Sequence, residues 1–169
     1  MNRRAFTLIE ITVSVVIIVT VAALTIPYFA STHVDRAAAA ASLFESDLRY
    51  AQLASMAQTQ DPVVIRIKVD GTGYWLARLS TPNVPVTRPD TGAVWDITMG
   101  LNRARASANV AVSTVNITGQ TIRFTPLGSV HLPTGSPTLT FTGSGPGGPA
   151  RSCVVTVDPV TGRTTASFP

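Results

Sequence analysis

The hydrophobic pattern changes character twice along this chain. From Ile11 to Val34 there is no Asp, Glu, Lys or Arg, and the residues before that stretch carry one acid, Glu10, and two bases, Arg3 and Arg4. Such a run has no polar face. Roughly 20 apolar residues reach across about 30 Å of hydrocarbon, so the pattern predicts a spanning helix over residues 6–28. A buried core helix apolar on all sides would need a large protein around it, and the remainder of the chain is short and strand-rich. A cleaved secretory signal fits less well, because the run outlasts a typical apolar core and continues into helix-favouring residues.

From Tyr28 the text YFASTHVDRAAAAASLFESDLRYAQLASMAQTQ has no Gly or Pro before Pro62, and strong helix formers dominate it. Phe6–Gln60 is therefore expected as one nearly continuous helix, about 80 Å long at roughly 1.5 Å per residue. Pro27 removes a backbone donor and should kink it, while Asp35 offers a cap for a helix restarting near Ser31–Asp35. Ala37, Ala41, Phe44, Leu48 and Ala51 recur at three- and four-residue steps and form one narrow face suited to packing on a sheet. The run Ala37–Ala41 fits either close approach by a partner or plain helix propensity.

Past Pro62 the period switches to two. Val63–Val69 puts Val63, Ile65, Ile67 and Val69 on one side, Asp70–Gly73 turns the chain, and Tyr74–Leu79 returns. Ser80–Gly92, with Pro82, Pro85 and Pro89, reads as a loop, followed by a strand at Val94–Met99 and a basic segment at Leu101–Asn109. Further strands are expected at Val110–Ile117, Thr121–Thr125 and Thr138–Thr142, and a terminal hairpin at Cys153–Asp158 and Arg163–Phe168. The expected class is α+β: one long N-terminal helix, its first half spanning a membrane, packed on an antiparallel sheet head. Trp75, Trp95, Phe124 and Phe141 are its expected core aromatics.

Charge changes this picture at one end only. Arg3 and Arg4 precede the apolar run, which by the positive-inside rule places the N-terminus in the cytoplasm and the rest outside. Glu10 is then the one acid within an apolar helix, and such an acid is a functional residue by default. The net charge of +4 falls to +2 without the two leading arginines, a weak balance for a dedicated nucleic-acid binder. Cys153 is the single cysteine, so no intrachain disulfide forms, and it reads as a small buried strand residue. Thr142–Pro149 has the glycine- and proline-rich composition of a loop.

The N-terminal text RRAFTLIEITVSVVIIVTVAALTIP resembles that of type IV prepilin-like proteins, which include pilins and type II secretion pseudopilins. The resemblance implies a short basic leader over residues 1–5, cut after Ala5 by a membrane peptidase, with the new amine on Phe6 methylated. It implies that Glu10 is the assembly acid and Pro27 the proline of the mature helix; the family normally carries Gly where this chain has Ala5. The texts LRYAQLASMAQTQ, IRFTPLG and VVTVDPVTGRT are similar to the H-type minor pseudopilins and the related T-type fimbrial minor pilins. The domains so implied are the leader 1–5, a transmembrane half-helix 6–28, an amphipathic half-helix 29–61 and a periplasmic head 62–169. The implied function is that of a low-copy structural subunit of the type II secretion pseudopilus, anchored singly in the bacterial inner membrane. Implied partners are other pseudopilins, the prepilin peptidase and methylase, an inner-membrane assembly platform and secreted substrates.

Nothing points to an enzyme, a cofactor or a metal. The two histidines, His33 and His131, fall in no zinc spacing; His33 is expected in the headgroup region and His131 on a loop. A calcium site would have to be assembled from loop acids such as Asp90 or Asp96. The rival function is a minor pilin of a true pilus that adheres or takes up DNA, with Arg103, Arg105, Arg151 and Arg163 as phosphate contacts. Against it, no aromatic platform is interleaved with these arginines. A lipid-anchored binding module lacks an N-terminal cysteine.

Overall fold

The computed structural model describes residues 8–30, 32–131, 135–145 and 149–169, with the side chains of 23–30 and 32 outside that description. Two helices come first, α1 over Leu8–Ala30 and α2 over Thr32–Ala57. Ser31, which separates them, is not among the described residues. The helical part ends at Ala57, short of the expected Gln60 and five residues before Pro62, and β1 begins at Val63.

The head holds two antiparallel sheets where one was expected. The first has the order β3 (Thr81–Pro85), β2 (Gly73–Arg78), β1 (Val63–Ile67) and β6 (Thr121–Arg123), with β4 (Asp96–Thr98) also pairing with β2. The second runs β5 (Val110–Val115), β7 (Thr138–Gly143), β8 (Arg151–Val157) and β9 (Thr164–Ser167). β3 lies inside the stretch expected as a loop. Prolines cannot donate to a ladder and are confined to sheet edges, and β3 is such an edge, with Pro85 opposite Ala77 and a register shift at Ala77/Arg78. The basic segment is a 3-10 turn, Asn102–Ser107. Val69, expected on the buried side of β1, lies beyond that strand's end and is exposed.

Helix α2 packs against strands of both sheets. Its inner stripe is Ala37, Ala41, Phe44, Leu48 and Ala51, all essentially inaccessible, with Ala40 beside them. Phe44 joins the two layers: its ring meets Tyr74 of β2 edge-on at 5.2 Å and Phe141 of β7 at 5.6 Å. Burying such a ring contributes on the order of 3 kcal/mol. Alanines elsewhere on the stripe let the backbones close in. A Cβ added to Gly143, at the end of β7, would lie 2.5 Å from the His33 carbonyl oxygen. His33 is accordingly buried under the end of β7 and not in a headgroup layer. Trp95, Phe124 and Phe141 are core residues, whereas Trp75 is only half-buried and its indole N–H donates to the Pro82 carbonyl at 3.0 Å.

Among the described residues no helix is long and apolar enough to cross a membrane. That finding corrects the spanning assignment of residues 6–28 and the single-pass inner-membrane localisation drawn from it. The described side chains of α1 reach only from Leu8 to Ala22. Glu10, Thr12, Ser14 and Thr20 interrupt even that stretch.

Candidate assembly surfaces

Helix α1 has no covered face over its described side chains. Leu8 is 84 % exposed, and Ile9, Ile11 and every Val and Ile from Val13 to Val21 are more than half exposed. Five of these, Val15–Val19, are consecutive, so the exposure runs around the whole helix. Its described hydroxyls are turned back on the helix itself. Thr12 donates to the Leu8 carbonyl at 2.9 Å, Ser14 to that of Glu10 at 2.8 Å and Thr20 to that of Val16 at 2.7 Å. With these donors satisfied within the helix, the outer surface is left to aliphatic carbon and the Glu10 carboxylate. Glu10 stands in the first turn of α1, where the helix dipole favours an anion. Ala5 and Phe6 lie outside the described residues, and Pro27 falls within α1 while its side chain lies outside the description.

A second polar site clamps α2 to the head. Asp47, buried one turn beyond Phe44, accepts at Oδ2 from the Tyr74 phenol at 2.9 Å and at Oδ1 from the Arg103 guanidinium. Arg103 also reaches the Ser46 hydroxyl at 3.3 Å, and Ser46 leans on Asp47 at 3.4 Å. Burial, with the Asp47 carboxylate adding to it, holds the Tyr74 phenol well above its usual 10.0. The arrangement satisfies a buried carboxylate from a sheet and from the 3-10 turn at once. It positions and does no chemistry, since no group here is poised to attack or to exchange a proton with a ligand.

The four arginines considered for phosphate contacts are not gathered into one patch. Arg103 is committed to Asp47, and its guanidinium lies 5.9 Å from the Trp95 ring centre. Arg105 is exposed on the same 3-10 turn. Arg151 opens β8, while Arg163 follows the turn beyond its other end, about 20 Å away along the strand at roughly 3.3 Å per residue. Arg163 instead lines a groove with Arg49, Gln52, Leu53, Gly162 and Thr164.

Asp90 pairs with Arg88, and Asp96 pairs with Lys68 at 2.7 Å. Among the described residues no group of three His, Cys, Asp or Glu side chains could hold a metal ion. Cys153 is buried in β8, and that burial pushes its thiol up and away from thiolate chemistry. His131 is exposed on its loop. Sequence reasoning missed the Asp47–Tyr74–Arg103 cluster and the role of Gln52. The first joins positions far apart in the chain, with no spacing to announce it.

Comparison with known proteins returns one family. The model described as type II transport protein GspH matches residues 40–162, close to three quarters of the chain. The match takes in the inner stripe of α2 from Ala40 onward and all strands but β9. No curated protein and no solved structure matches.

Proposed function

Since the chain belongs to the type II transport protein GspH family, we propose that it assembles through α1 while the two-sheet head faces its neighbours. It is a minor pseudopilin, a structural subunit of the type II secretion pseudopilus taking part in protein export, and not an enzyme. The observation that carries the assembly role is the bare aliphatic surface of α1. An apolar helix left uncovered by its own chain loses about 25 cal/mol for every Å2 it fails to bury. The same helices of neighbouring subunits would cover it.

Glu10 gives that packing its register. Cleavage after Ala5 by a prepilin peptidase and methylation of Phe6 would leave a positive amine four residues ahead of Glu10. Across a subunit boundary this amine is the counter-charge a carboxylate needs between packed apolar helices, where an uncompensated charge is costly. Pro27, which lacks an amide donor, lets the rod bend before α2 meets the head. The peptidase, methylase and assembly platform are the further partners of this reading.

The test is co-assembly of Glu10→Ala with wild-type subunits, scored by filament recovery, with mass spectrometry of the mature N-terminus. The variant should be made and processed to Phe6 yet be excluded from filaments. Normal incorporation would remove the Glu10 pairing, and a mature chain starting elsewhere than Phe6 would remove the processing scheme.

A further inference from the structure

Helix α2 carries a second stripe, on its outer flank. Arg49, Gln52, Leu53 and Met56 follow the i, i+3, i+4, i+7 spacing of one helical face. Leu53 is 66 % exposed and Met56 45 %. Two turns of the head are drawn onto this flank by a single side chain. The Gln52 amide nitrogen donates to the Gly128 carbonyl at 2.7 Å and to the Thr161 carbonyl at 3.1 Å. Each turn then presents an apolar tip next to those anchors, Leu127 at 91 % exposure and Val160 at 77 %.

Turn tips are ordinarily Gly, Pro, Asn, Asp or Ser, which solvate well. Leu and Val at both tips, beside Leu53 and Met56, make a cluster and not a scatter of single exposed residues. The tips are also held in place. In the second turn the Asp158 carboxylate accepts the Val160 and Thr161 amides at 2.8 Å each, which with Arg163 holds it below the usual carboxylate range. In the first, the Thr125 and Ser129 hydroxyls are 2.6 Å apart. Gly162 sits at φ 67, and a Cβ there would fall 2.5 Å from the Gln52 amide nitrogen and 2.7 Å from the Gly128 oxygen. A surface fixed in advance loses less freedom when it is covered.

The rim is basic. Arg49 joins no ion pair among the described residues, and Arg163 stands beside Asp158, whose carboxylate is already taken by turn amides. Two guanidiniums against one occupied carboxylate favour an anionic edge opposite. Nucleic acid fits poorly, because the centre of the patch is aliphatic and offers bases nothing to stack on.

We propose that this flank, Leu53, Met56, Leu127 and Val160 bordered by Arg49 and Arg163, docks a neighbouring pilin-like subunit that brings apolar side chains edged with carboxylates. The inference rests on the pseudopilin reading and adds to it a head-to-head contact separate from the α1 packing.

A photo-reactive phenylalanine placed at Leu53, Leu127, Val84 or Ile17 of the full chain, in cells assembling the pseudopilus, tests it. Val84 is 61 % exposed on the β3 edge and serves as the control. Leu53 and Leu127 should yield adducts with another pilin-like subunit and Val84 none. The double change Arg49→Glu, Arg163→Glu should lower that yield about tenfold, as rim charge reversals do, while Arg49→Lys, Arg163→Lys should keep most of it. Adducts at Ile17 without any at Leu53 or Leu127 would overturn this inference and leave the α1 reading standing. Adducts at no position would overturn both. Adducts to a secreted protein or to nucleic acid would overturn the proposed occupant.

Discussion

Helices α1 and α2 are neighbours in sequence and similar in length, 23 and 26 residues, and they solve opposite problems. The first is aliphatic on every described side and bare; the second is rich in alanine and charge, and it makes the core. Hydrophobicity alone would have assigned the roles the other way round. What decides is whether the chain supplies a complementary surface. Two sheets with inward-facing Ile65, Leu76, Leu139 and Val155 receive the narrow stripe of α2, whereas the large aliphatic side chains described in α1 stay more than half exposed. Folding of the head is therefore the business of α2, while α1 keeps its described apolar surface exposed.

Substitutions should separate along that line. The largest effect on stability belongs to Phe44→Ala. Removing a ring that touches both sheets should cost about 3–5 kcal/mol, read as a large fall in the urea midpoint of the full chain. Tyr74→Phe comes next, at about 1–2 kcal/mol, because it takes one donor from the buried Asp47 carboxylate. It also carries a pH signature. The folded phenol is raised above its usual 10.0, so the stability its neutral form contributes is full below about pH 10 and is lost as pH rises beyond it. The wild-type midpoint should drop more steeply than that of Tyr74→Phe between pH 9 and 11, ~1 unit either side of that value; parallel curves would show that Tyr74 is not the group titrating. The smallest effect is expected from Ile17→Ser, within about 0.5 kcal/mol of wild type, although filament incorporation should fail. Were Ile17→Ser to lower the midpoint as far as Phe44→Ala, α1 would belong to the folded core and the contrast would dissolve.

Much of the head was legible before the structure, and the misses have definite causes. The α2 stripe was readable because five residues at helical spacing can face only one way. The terminal hairpin was readable because β8 and β9 flank a turn ending in Gly162, which sits at positive φ. Strand β3 was hidden by Pro82 and Pro85, whose missing donors argue against a central strand and leave an edge strand open. The division into two sheets was hidden because alternation tells which residues face inward but not which strands pair; β1 bonds β6 from the far side of β2, β3, β4 and β5 in the chain. Of the candidate site, Glu10 stood out as a lone acid. Nothing in the helical spacing marks Asp47 as buried, since it falls beside Leu48 and outside the five-residue stripe. The outer stripe of Arg49, Gln52, Leu53 and Met56 did have a signal, its helical spacing, which the stronger alanine pattern on the adjoining face masked.

The meeting of Gly143 with His33 sets a tolerance for the whole head. Backbone touches backbone there, and a further Cβ on Gly145 would come within 2.8 Å of the His33 ring. Any side chain at position 143 would act as a shim, prying the first turn of α2 away from β7 while leaving helix and strand individually intact. The pitch at which the helix crosses its sheet is thus governed by a methyl group that is not there.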